Sequence, residues 1–300
     1  MKKLAVIFMV AVLAGGLLGV FGLPAGAEKK PVVGLAVSTL NNPFFVDLKD
    51  GALEAAKKLG IELVVTDAQN DPNKQLAGIE DLIQRGVDVI LVNPTDSAAV
   101  VPAIKAANKA KIPVITVDRS AAQGEVATHI ASDNVAGGRM AGEYIVKLLG
   151  GKGKVVELEG IPGTSAARDR GKGFNEVIAK NGGIKVVARQ EAGFDRARGL
   201  TVMENILQAQ PEINAVFAHN DEMALGALKA ITASGRKGIL VVGFDATDDA
   251  VAAVKEGKLA ATVAQQPREM GRLAVESAKQ LLSGGKLDQF IPVALSLVTK

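Results

Sequence analysis

Polar side chains that form strong hydrogen bonds stand at or just after several short apolar runs of the sequence. Asp118-Arg119 follows one such run, Asn220 follows another, and Asp245 and Gln265 close two more. Aspartate and arginine can each bind two adjacent hydroxyl groups, and hydrogen bonds to charged groups are the strong ones. Phenylalanine rings are interleaved with these residues and can lie against the apolar C–H faces of a sugar ring. The set therefore predicts a site for a neutral polyol.

The charged members of this set balance one another. Arg119 and Arg170 oppose Asp118 and Asp245, and a sugar phosphate or a carboxylate would favour a site of net positive charge. The whole chain carries a formal charge of +3 and has no long basic run, which argues against a nucleic-acid partner.

Residue patterns typical of catalysis or of a metal centre are missing from the sequence. The chain has no cysteine, and its two histidines, His129 and His219, lack metal-ligand spacing. Neither G-x-S-x-G nor H-E-x-x-H occurs, and the glycine run Gly150–Gly153 lacks the phosphate-loop pattern. We therefore expect a binding protein without metal or cofactor; an exported enzyme acting on sugars is the less favoured alternative.

The sequence alternates short apolar strands with amphipathic helices. A first series runs from strand Val32–Val37 to strand Val114–Val117, and a second runs from helix Asn134–Leu149 to helix Pro267–Leu282. Such alternation predicts parallel sheets with right-handed crossovers. Only 3% of the residues are aromatic, which fits the aliphatic core of such sheets. We expect an α/β fold of two doubly wound parallel-sheet lobes, with the ligand at the carboxyl ends of the strands.

The N-terminus has the form of a secretory signal peptide. Met1–Lys3 is positively charged, residues 4–23 are nearly all apolar, and Ala25-Gly26-Ala27 is a small-residue cleavage site. The alternative is an uncleaved membrane anchor, since the apolar run is about long enough to span a bilayer. Glycines within the run and the small-residue exit favour cleavage after Ala27. We therefore expect an exported protein without a lipid anchor, because there is no cysteine to acylate.

Six short segments, in order along the chain, form a combined pattern. They are S-T-L-N-N-P-F-F from Ser38 to Phe45, I-P-V-I-T-V-D-R ending at Arg119, H-I-A-S-D-N from His129 to Asn134, G-T-S-A-A-R-D-R-G-K-G-F ending at Phe174, N-D-E-M-A-L-G-A from Asn220 to Ala227, and V-V-G-F-D ending at Asp245. Together they resemble the periplasmic ribose-binding proteins, which are type I solute-binding proteins of bacterial ABC importers. The resemblance implies a sugar receptor that has no chemistry of its own and delivers its ligand to an inner-membrane ABC permease.

The resemblance also implies that two lobes close over one sugar and that the chain crosses between them three times. The crossings are expected near Ser132-Asp133, Gln265-Gln266 and Ala294-Leu295. After a signal peptide at residues 1–27, the N-terminal lobe would comprise 28–132 and 266–294, and the C-terminal lobe 133–265 and 295–300. We expect a monomer whose closed form docks on the permease, and on a chemotaxis receptor where one is served. Plausible docking surfaces include the helix with Lys49, Asp50 and Glu54.

The ligand contacts implied by the resemblance come from both lobes. Hydrogen bonds to the sugar are expected from Asp118, Arg119, Arg170, Asn220, Asp245 and Gln265, with Ser38 and Asn42 at the first strand exit. Ring contacts are expected from Phe44 and Phe45 in one lobe and from Phe194 and Phe244 in the other. His219 departs from the family pattern, since many ribose binders carry glutamine there. This difference leaves the identity of the bound sugar undecided.

Several of these residues also have an ordinary structural explanation. Asn42 could simply cap the next helix, Asp118-Arg119 could be a salt bridge at a strand end, and Phe194 could be a hydrophobic plug. Of two nearby arginines we assign Arg170 to the ligand and Arg168 to structure. The remaining rings, Phe174, Phe217 and Phe290, are expected in the core.

The identity of the ligand has alternatives within and outside this family. Another neutral sugar or sugar-like signal, such as allose, xylose or autoinducer-2, could replace D-ribose. A regulator of the lac-repressor type shares the sugar-sensing core, but it needs a DNA-binding helix-turn-helix where this chain has its signal peptide. We therefore predict a transport receptor for D-ribose or a closely related neutral sugar.

Overall fold

The computed structural model describes residues 30–300, so the predicted signal peptide lies outside the described part of the chain. None of the helices in this part is long and apolar enough to cross a membrane. The strands are β1 (Val32–Val37), β2 (Glu62–Asp67), β3 (Val89–Val92), β4 (Val114–Val117), β5 (Thr128–Ala131), β6 (Gly153–Glu159), β7 (Ile184–Glu191), β8 (Ala215–Ala218), β9 (Leu240–Asp245), β10 (Ala261–Ala264), β11 (Phe290–Pro292) and β12 (Ser296–Thr299). The helices are α1 (Pro43–Leu59), α2 (Pro72–Gln84), α3 (Val101–Lys109), α4 (Asn134–Leu148), α5 (Ser165–Ala179), α6 (Arg196–Ala209), α7 (Asp221–Ala233), α8 (Asp248–Lys255) and α9 (Pro267–Leu282).

These elements form two six-stranded sheets of the same topology. The strand orders are β11-β5-β4-β3-β1-β2 and β12-β10-β9-β8-β6-β7. All pairings are parallel except that of β12, which runs antiparallel to β10. The predicted α/β fold with two parallel-sheet lobes is confirmed. The strand order reverses between β1 and β3 in one sheet and between β6 and β8 in the other, and ligands of such sheets bind beside these points.

The chain passes between the two sheets three times. It leaves the first sheet after β5, returns from β10 through α9, which packs on α1, and passes again from β11 to β12. The connecting segments are residues 132–133, 265–266 and 293–295. Each sheet is therefore assembled from discontinuous stretches of the chain.

Three short strands were absent from the elements predicted from the sequence. They are β5, β11 and β12, each of three or four residues. Runs this short are not identified by hydrophobic period alone, and their pairing depends on a neighbouring strand supplied by the fold. Helix α3 begins at Val101 and has Pro102 in its first turn.

Side-chain caps fix the starts of six described helices. In each, an oxygen of the residue before the helix accepts a hydrogen bond from a backbone N–H of the first turn. The capping residues are Asn42, Asp71, Asp133, Thr164, Asp195 and Asn220. Two of them, Asn42 and Asn220, are also predicted ligand contacts, so the helix starts hold these side chains in place.

Three helix pairs pack with their backbones in direct contact through glycine. A methyl group at Gly173 of α5 would lie 2.0 Å from the carbonyl oxygen of Val135 in α4, and one at Gly138 of α4 would lie 2.1 Å from the carbonyl oxygen of Arg170 in α5. Gly51 and Gly271 have this role between α1 and α9, and Gly199 and Gly226 between α6 and α7. Because only glycine permits this approach, the helix that carries Arg170 is set close to α4.

The remaining phenylalanines divide between core and surface. Phe174 and Phe217 are fully buried, with ring centroids 4.8 Å apart, as predicted. The core assignment of Phe290 was wrong, because its side chain is 44% exposed. It lies on β11 at the edge of the first sheet, 5.8 Å from the ring of His129. An edge strand is covered by a neighbour on one side only, so this ring stays partly in solvent.

Candidate functional site

A small cavity lies where the ends of the two sheets face each other. One lobe contributes Asn42, Phe44, Phe45, Asp118 and Arg119, and the other contributes Ala166, Arg170, Phe194, Asn220 and Asp245. Nine of these ten residues belong to the set predicted as ligand contacts, and Ala166 does not. Residues from six segments distant in sequence thus meet in one small chamber.

The first lobe presents an apolar wall and an amide at the start of α1. The rings of Phe44 and Phe45 pack edge to face, with centroids 5.2 Å apart and an interplanar angle of 86°. The side-chain oxygen of Asn42 accepts a hydrogen bond of 3.0 Å from the backbone N–H of Phe44. Asn42 therefore caps the helix and also faces the cavity, so a role as helix cap and a role as ligand contact are compatible.

Arg119 joins the two lobes through aromatic rings. Its guanidinium lies 5.0 Å from the ring centroid of Phe45 in its own lobe and 5.3 Å from that of Phe194 in the other. Nη1 donates to the carbonyl oxygen of Pro94 at 3.2 Å, whereas the buried Nε has no hydrogen-bond partner within the protein and lies 3.7 Å from Oδ2 of Asp118. Burial lowers the pKa of Arg119 to about 10, against the opposing charge of Asp118. The group thus stays cationic at neutral pH with a free donor in the site.

Arg170 is held on several sides within the second lobe. Nε donates to the side-chain oxygen of Asn134 at 2.8 Å, and Nη1 donates to the carbonyl oxygen of His219 at 2.6 Å. The guanidinium stacks 3.8 Å from the ring centroid of Phe244 and pairs with Asp245 at 3.5 Å. Such a preorganised planar cation can present its remaining donors to a hydroxylated ligand.

Asp245 supplies the carboxylate of the second lobe. Its Oδ1 accepts a hydrogen bond of 2.8 Å from Nε2 of Gln265. Burial raises the pKa of Asp245, while the charge of Arg170 acts to lower it. The first lobe has a corresponding arrangement, because Asp118 accepts a hydrogen bond of 3.1 Å from Asn93 and pairs with Arg119 at 3.7 Å. Each lobe therefore offers one carboxylate beside one guanidinium.

Three residues of the cavity have a backbone conformation that side chains other than glycine rarely adopt. The φ angles are 63° at Asp118, 58° at Phe194 and 117° at Asp245. Such strain persists only where the surrounding structure enforces it, and it concentrates at functional sites. These three positions turn the chain sharply after a strand, so that their side chains face the cavity.

The two lobes touch each other around the cavity. The backbone N–H of Ser97 donates to the carbonyl oxygen of Gly163 at 3.0 Å, and that of Ser120 donates to Oγ of Ser165 at 2.9 Å. Ser97 and Ser120 lie in the first lobe, and their partners lie at or before the start of α5 in the second. The lobes are therefore closed over the cavity.

Comparison with known proteins identifies the family of this chain. A family profile described as "Periplasmic binding protein domain" matches residues 33–286. The chain belongs to the periplasmic binding protein family. Its relatives include the ribose import binding protein of Escherichia coli strain K12, 53% identical over 300 residues that cover 100% of this chain and 99% of the relative. The ribose import binding protein of Bacillus subtilis strain 168 is 55% identical over 276 residues, 92% of this chain and 90% of the relative.

Solved structures of periplasmic binding proteins share this fold. An ABC transporter solute-binding protein of Actinobacillus succinogenes, determined with bound D-allose, has a TM-score of 0.85 at 34% identity and covers 90% of this chain and 98% of its own. One of Bacillus halodurans, determined with bound myo-inositol, has a TM-score of 0.86 at 36% identity and covers 91% and 96%. Two α/β lobes are thus the shared frame of this family.

Three predicted contacts of this periplasmic binding protein do not line the cavity. Gln265 hydrogen-bonds Asp245, and its own Oε1 is buried without a partner. The ring of Phe244 is fully buried beneath Arg170. Ser38 is buried at the exit of β1, and its Oγ also has no partner within the protein. The structure therefore places the ring of Phe244 behind Arg170, and it places Gln265 beside Asp245 in an adjoining pocket that Phe44 and Asp245 also line.

Two residues that organise the site were missed from the sequence. Asn93 follows β3 and donates to both Asp118 and the carbonyl oxygen of Val117, at 3.1 Å each. Asn134 begins α4 and accepts from Arg170. Asn93 could have been found, because it stands directly after the short apolar run at residues 89–92. In the described part of the chain, no cluster of His, Asp or Glu side chains has the arrangement of a metal site.

A buried carboxyl group behind the site makes stability depend on pH. Asp221 accepts hydrogen bonds from Thr262 at 2.7 Å and from the backbone of Thr247 at 2.8 Å, and no cation pairs with it among the described residues. Burial, with the nearby charge of Asp245, raises the pKa of Asp221 from 3.8 to about 8. Between these values the folded state retains a proton that the unfolded state has lost, so the free energy of unfolding falls as the pH rises.

We expect the Asp221→Asn variant to lose this part of the pH dependence. Its free energy of unfolding, measured by urea denaturation at pH 5 and pH 8.5, should differ less between the two conditions than that of the wild type. The exposed Asp288→Asn variant is the control and should retain the wild-type difference. An unchanged pH dependence in Asp221→Asn would show that this carboxyl titrates alike in both states.

Proposed function

We propose that this chain is the sugar-capturing, substrate-binding component of an ABC importer and that its ligand is D-ribose. The observation that supports this most strongly is the closed cavity between the lobes, where two aspartates and two arginines meet three phenylalanine rings. The charges sum to zero, which suits a neutral molecule. Carboxylates accept from hydroxyl groups, guanidinium groups donate to them, and rings cover the C–H faces.

The assignment to ribose is supported by the degree of similarity. The ribose import binding proteins are 53% and 55% identical to this chain. The solute-binding proteins solved with D-allose and with myo-inositol are 34% and 36% identical. All of these ligands are neutral polyols, so the similarity strongly supports a neutral polyol as the ligand. The higher identity to the ribose proteins supports ribose over the other polyols more modestly. Allose, xylose and autoinducer-2 are the alternatives.

Binding and release would follow from motion of the two lobes. We assign residues 28–132 and 266–294 to the N-terminal lobe and 133–265 and 295–300 to the C-terminal lobe, with hinges near residues 132–133, 265–266 and 294–295. Sheet membership of the strands supports this division. A sugar that contacts both lobes binds the closed state better and shifts the population towards it. Closure also excludes water, which strengthens the charged hydrogen bonds.

The partner of the closed form would be an inner-membrane permease. The two lobes of this chain present their outer helices together only when they are closed, so a permease can distinguish the receptor with bound sugar from the empty one. Helix α1 is one such surface, with Lys49 paired to Asp50 at 2.9 Å and Glu54 paired to Arg268 of α9. A chemotaxis receptor could bind the same surface.

The proposal has four further parts. They are a cleaved signal peptide at residues 1–27, a periplasmic location, a monomeric state and the absence of enzymatic activity.

Isothermal titration of the purified protein against a panel of ligands tests the function. The panel contains D-ribose, D-allose, D-xylose, autoinducer-2, myo-inositol and D-ribose 5-phosphate. We expect D-ribose to bind most tightly. The phosphate ester should bind far more weakly, because the site has no surplus positive charge to compensate a buried dianion.

The possible outcomes of this titration separate the two parts of the proposal. Tight binding of allose, xylose or autoinducer-2 without ribose would overturn the ligand and leave the receptor function standing. Binding of none of the sugars would overturn the receptor function itself. Incubation with ribose followed by product analysis should show unchanged sugar, and conversion of ribose would contradict the expectation that the protein is not an enzyme.

A further inference from the structure

His219 lies directly before Asn220 at the end of β8, but its ring is not part of the cavity wall. The side chain is fully buried, and Nε2 lies 3.0 Å from Oε1 of Glu157, which is also fully buried on β6. A histidine and a glutamate held together in the interior of a lobe need a reason, because burying polar groups is costly unless each is satisfied.

The polar atoms of His219 connect to two elements of the site. Its carbonyl oxygen accepts the 2.6 Å hydrogen bond from Nη1 of Arg170. Its Nδ1 accepts a longer hydrogen bond, 3.4 Å, from the backbone N–H of Gly160. Since Nδ1 faces a donor, the hydrogen of the ring is on Nε2 and is donated to Glu157. One neutral tautomer therefore satisfies both ring nitrogens.

Gly160 in turn supports a ring of the cavity wall. A methyl group at Gly160 would lie 2.0 Å from the ring of Phe194, so this ring rests directly on the glycine backbone. Phe194 has a strained φ of 58° and contributes to the stack with Arg119. The position of the Gly160 backbone thus determines how far the Phe194 ring extends into the site.

Glu157 gives this arrangement a fixed anchor. Its Oε2 accepts a hydrogen bond of 2.7 Å from Nε of Arg189 on β7, and both oxygens lie 3.1 Å from Nδ2 of Asn175 on α5. Burial acts to raise the pKa of Glu157, but the hydrogen bonds from His219, Arg189 and Asn175 outweigh it and the pKa is lowered. Glu157 is therefore a fixed carboxylate acceptor held from three directions.

We infer that His219 is a positioning residue for sugar binding, holding the guanidinium of Arg170 and the Gly160 backbone beneath Phe194 without touching the sugar itself. The inference rests on the proposed function. It predicts that the side chain at this position must offer one acceptor to Gly160 and one donor to Glu157 at the span of an imidazole. If the side chain no longer bridges Gly160 and Glu157, the His219 backbone and Gly160 can both shift. Arg170, which is held by the carbonyl of His219, and Phe194, which rests on Gly160, would then shift with them.

Two amide substitutions that differ by one methylene test this requirement. His219→Gln should bind D-ribose within about threefold of the wild type, because one amide provides both the donor and the acceptor at nearly the same reach. His219→Asn is too short to reach Glu157 and should bind about tenfold or more weakly, since small displacements of positioned groups are costly. His219→Leu, which has neither donor nor acceptor, should behave like His219→Asn. Dissociation constants are measured by titration calorimetry.

The Val155→Ala variant separates positioning from loss of stability. Val155 is fully buried on the same strand as Glu157. Its truncation should lower the melting temperature and leave the dissociation constant at the wild-type value. Weak binding in Val155→Ala, or equal affinities in His219→Gln and His219→Asn, would overturn the inference. If His219→Leu does not fold, the glutamine and asparagine pair still decides the matter.

A double-mutant cycle tests the route through Arg170. In an Arg170→Lys background, the ammonium replaces the guanidinium whose Nη1 is held by His219. His219→Asn should then weaken binding by a smaller factor than it does in the wild type. Equal factors in the two backgrounds would overturn the route through Arg170. If the wild type binds ribose and the His219 variants match it, this inference fails while the receptor function stands; if the wild type binds no sugar, the receptor function fails first.

Discussion

The Arg119→Ala variant is expected to bind D-ribose about 100- to 1,000-fold more weakly than the wild type, a loss of ~3–4 kcal/mol. The guanidinium is buried between Phe45 of one lobe and Phe194 of the other. Its Nε has no hydrogen-bond partner within the protein and is available to a ligand hydroxyl. Alanine removes this donor, opens the stack that joins the lobes, and leaves Asp118 without the cation 3.7 Å away. Titration calorimetry with ribose measures the effect.

Arg85→Ala is the matched control for this variant. Arg85 belongs to the same lobe but is exposed, where it pairs with Asp81 at 2.7 Å. The control should keep the wild-type dissociation constant. Arg119→Lys retains the charge but lacks the planar fork that stacks between two rings, so we expect weakened binding there as well. An unchanged affinity in a folded Arg119→Ala protein would refute the role of Arg119 in the site.

The Gly173→Ala variant is expected to lose about 3 kcal/mol or more of its free energy of unfolding, at the upper end of the cost of overpacking. The new methyl group would lie 2.0 Å from the carbonyl oxygen of Val135 and 2.9 Å from the backbone nitrogen of Arg139. Backbone atoms cannot rotate away as a side chain can, so α4 and α5 must move apart. Because α5 carries Arg170 and α4 begins with Asn134, sugar affinity should fall together with stability. Urea denaturation and titration calorimetry measure the two effects.

Gly182→Ala provides the comparison for the glycine substitution. Gly182 follows α5 in the same lobe, and a methyl group there would meet no other atom within 4 Å. The variant should match the wild type in stability and in affinity. Equal stability of Gly173→Ala and Gly182→Ala would show that the helix pair tolerates a wider separation than the packing of Gly138 and Gly173 indicates.

The alternation of apolar runs and amphipathic helices determined the two-lobe fold without any structure. Parallel sheets bring the ends of all their strands to one edge, so the residues that follow those strands must be neighbours. Asp118, Asn220 and Asp245 could therefore be grouped from their positions alone. The sequence also predicted that Asn42 could cap the following helix, and Asn42 does cap it. The resemblance to a known family supplied the remaining candidates, including Phe194, which lies in a loop that no period describes.

The tertiary structure decided which of these residues face the cavity and which stand behind it. Sequence spacing does not give the direction of a side chain after a strand ends, and the φ angles of Asp118, Phe194 and Asp245 are set by contacts across the fold. Phe244 consequently lies behind the guanidinium of Arg170, Gln265 donates to Asp245 from an adjoining pocket, and His219 points into the lobe towards Glu157. The edge strand with Phe290 is likewise a product of pairing between distant segments. Local sequence determines the type and order of the helices and strands. Burial and hydrogen-bond partners depend on contacts between segments that are distant in the sequence, and these contacts form only when each lobe folds.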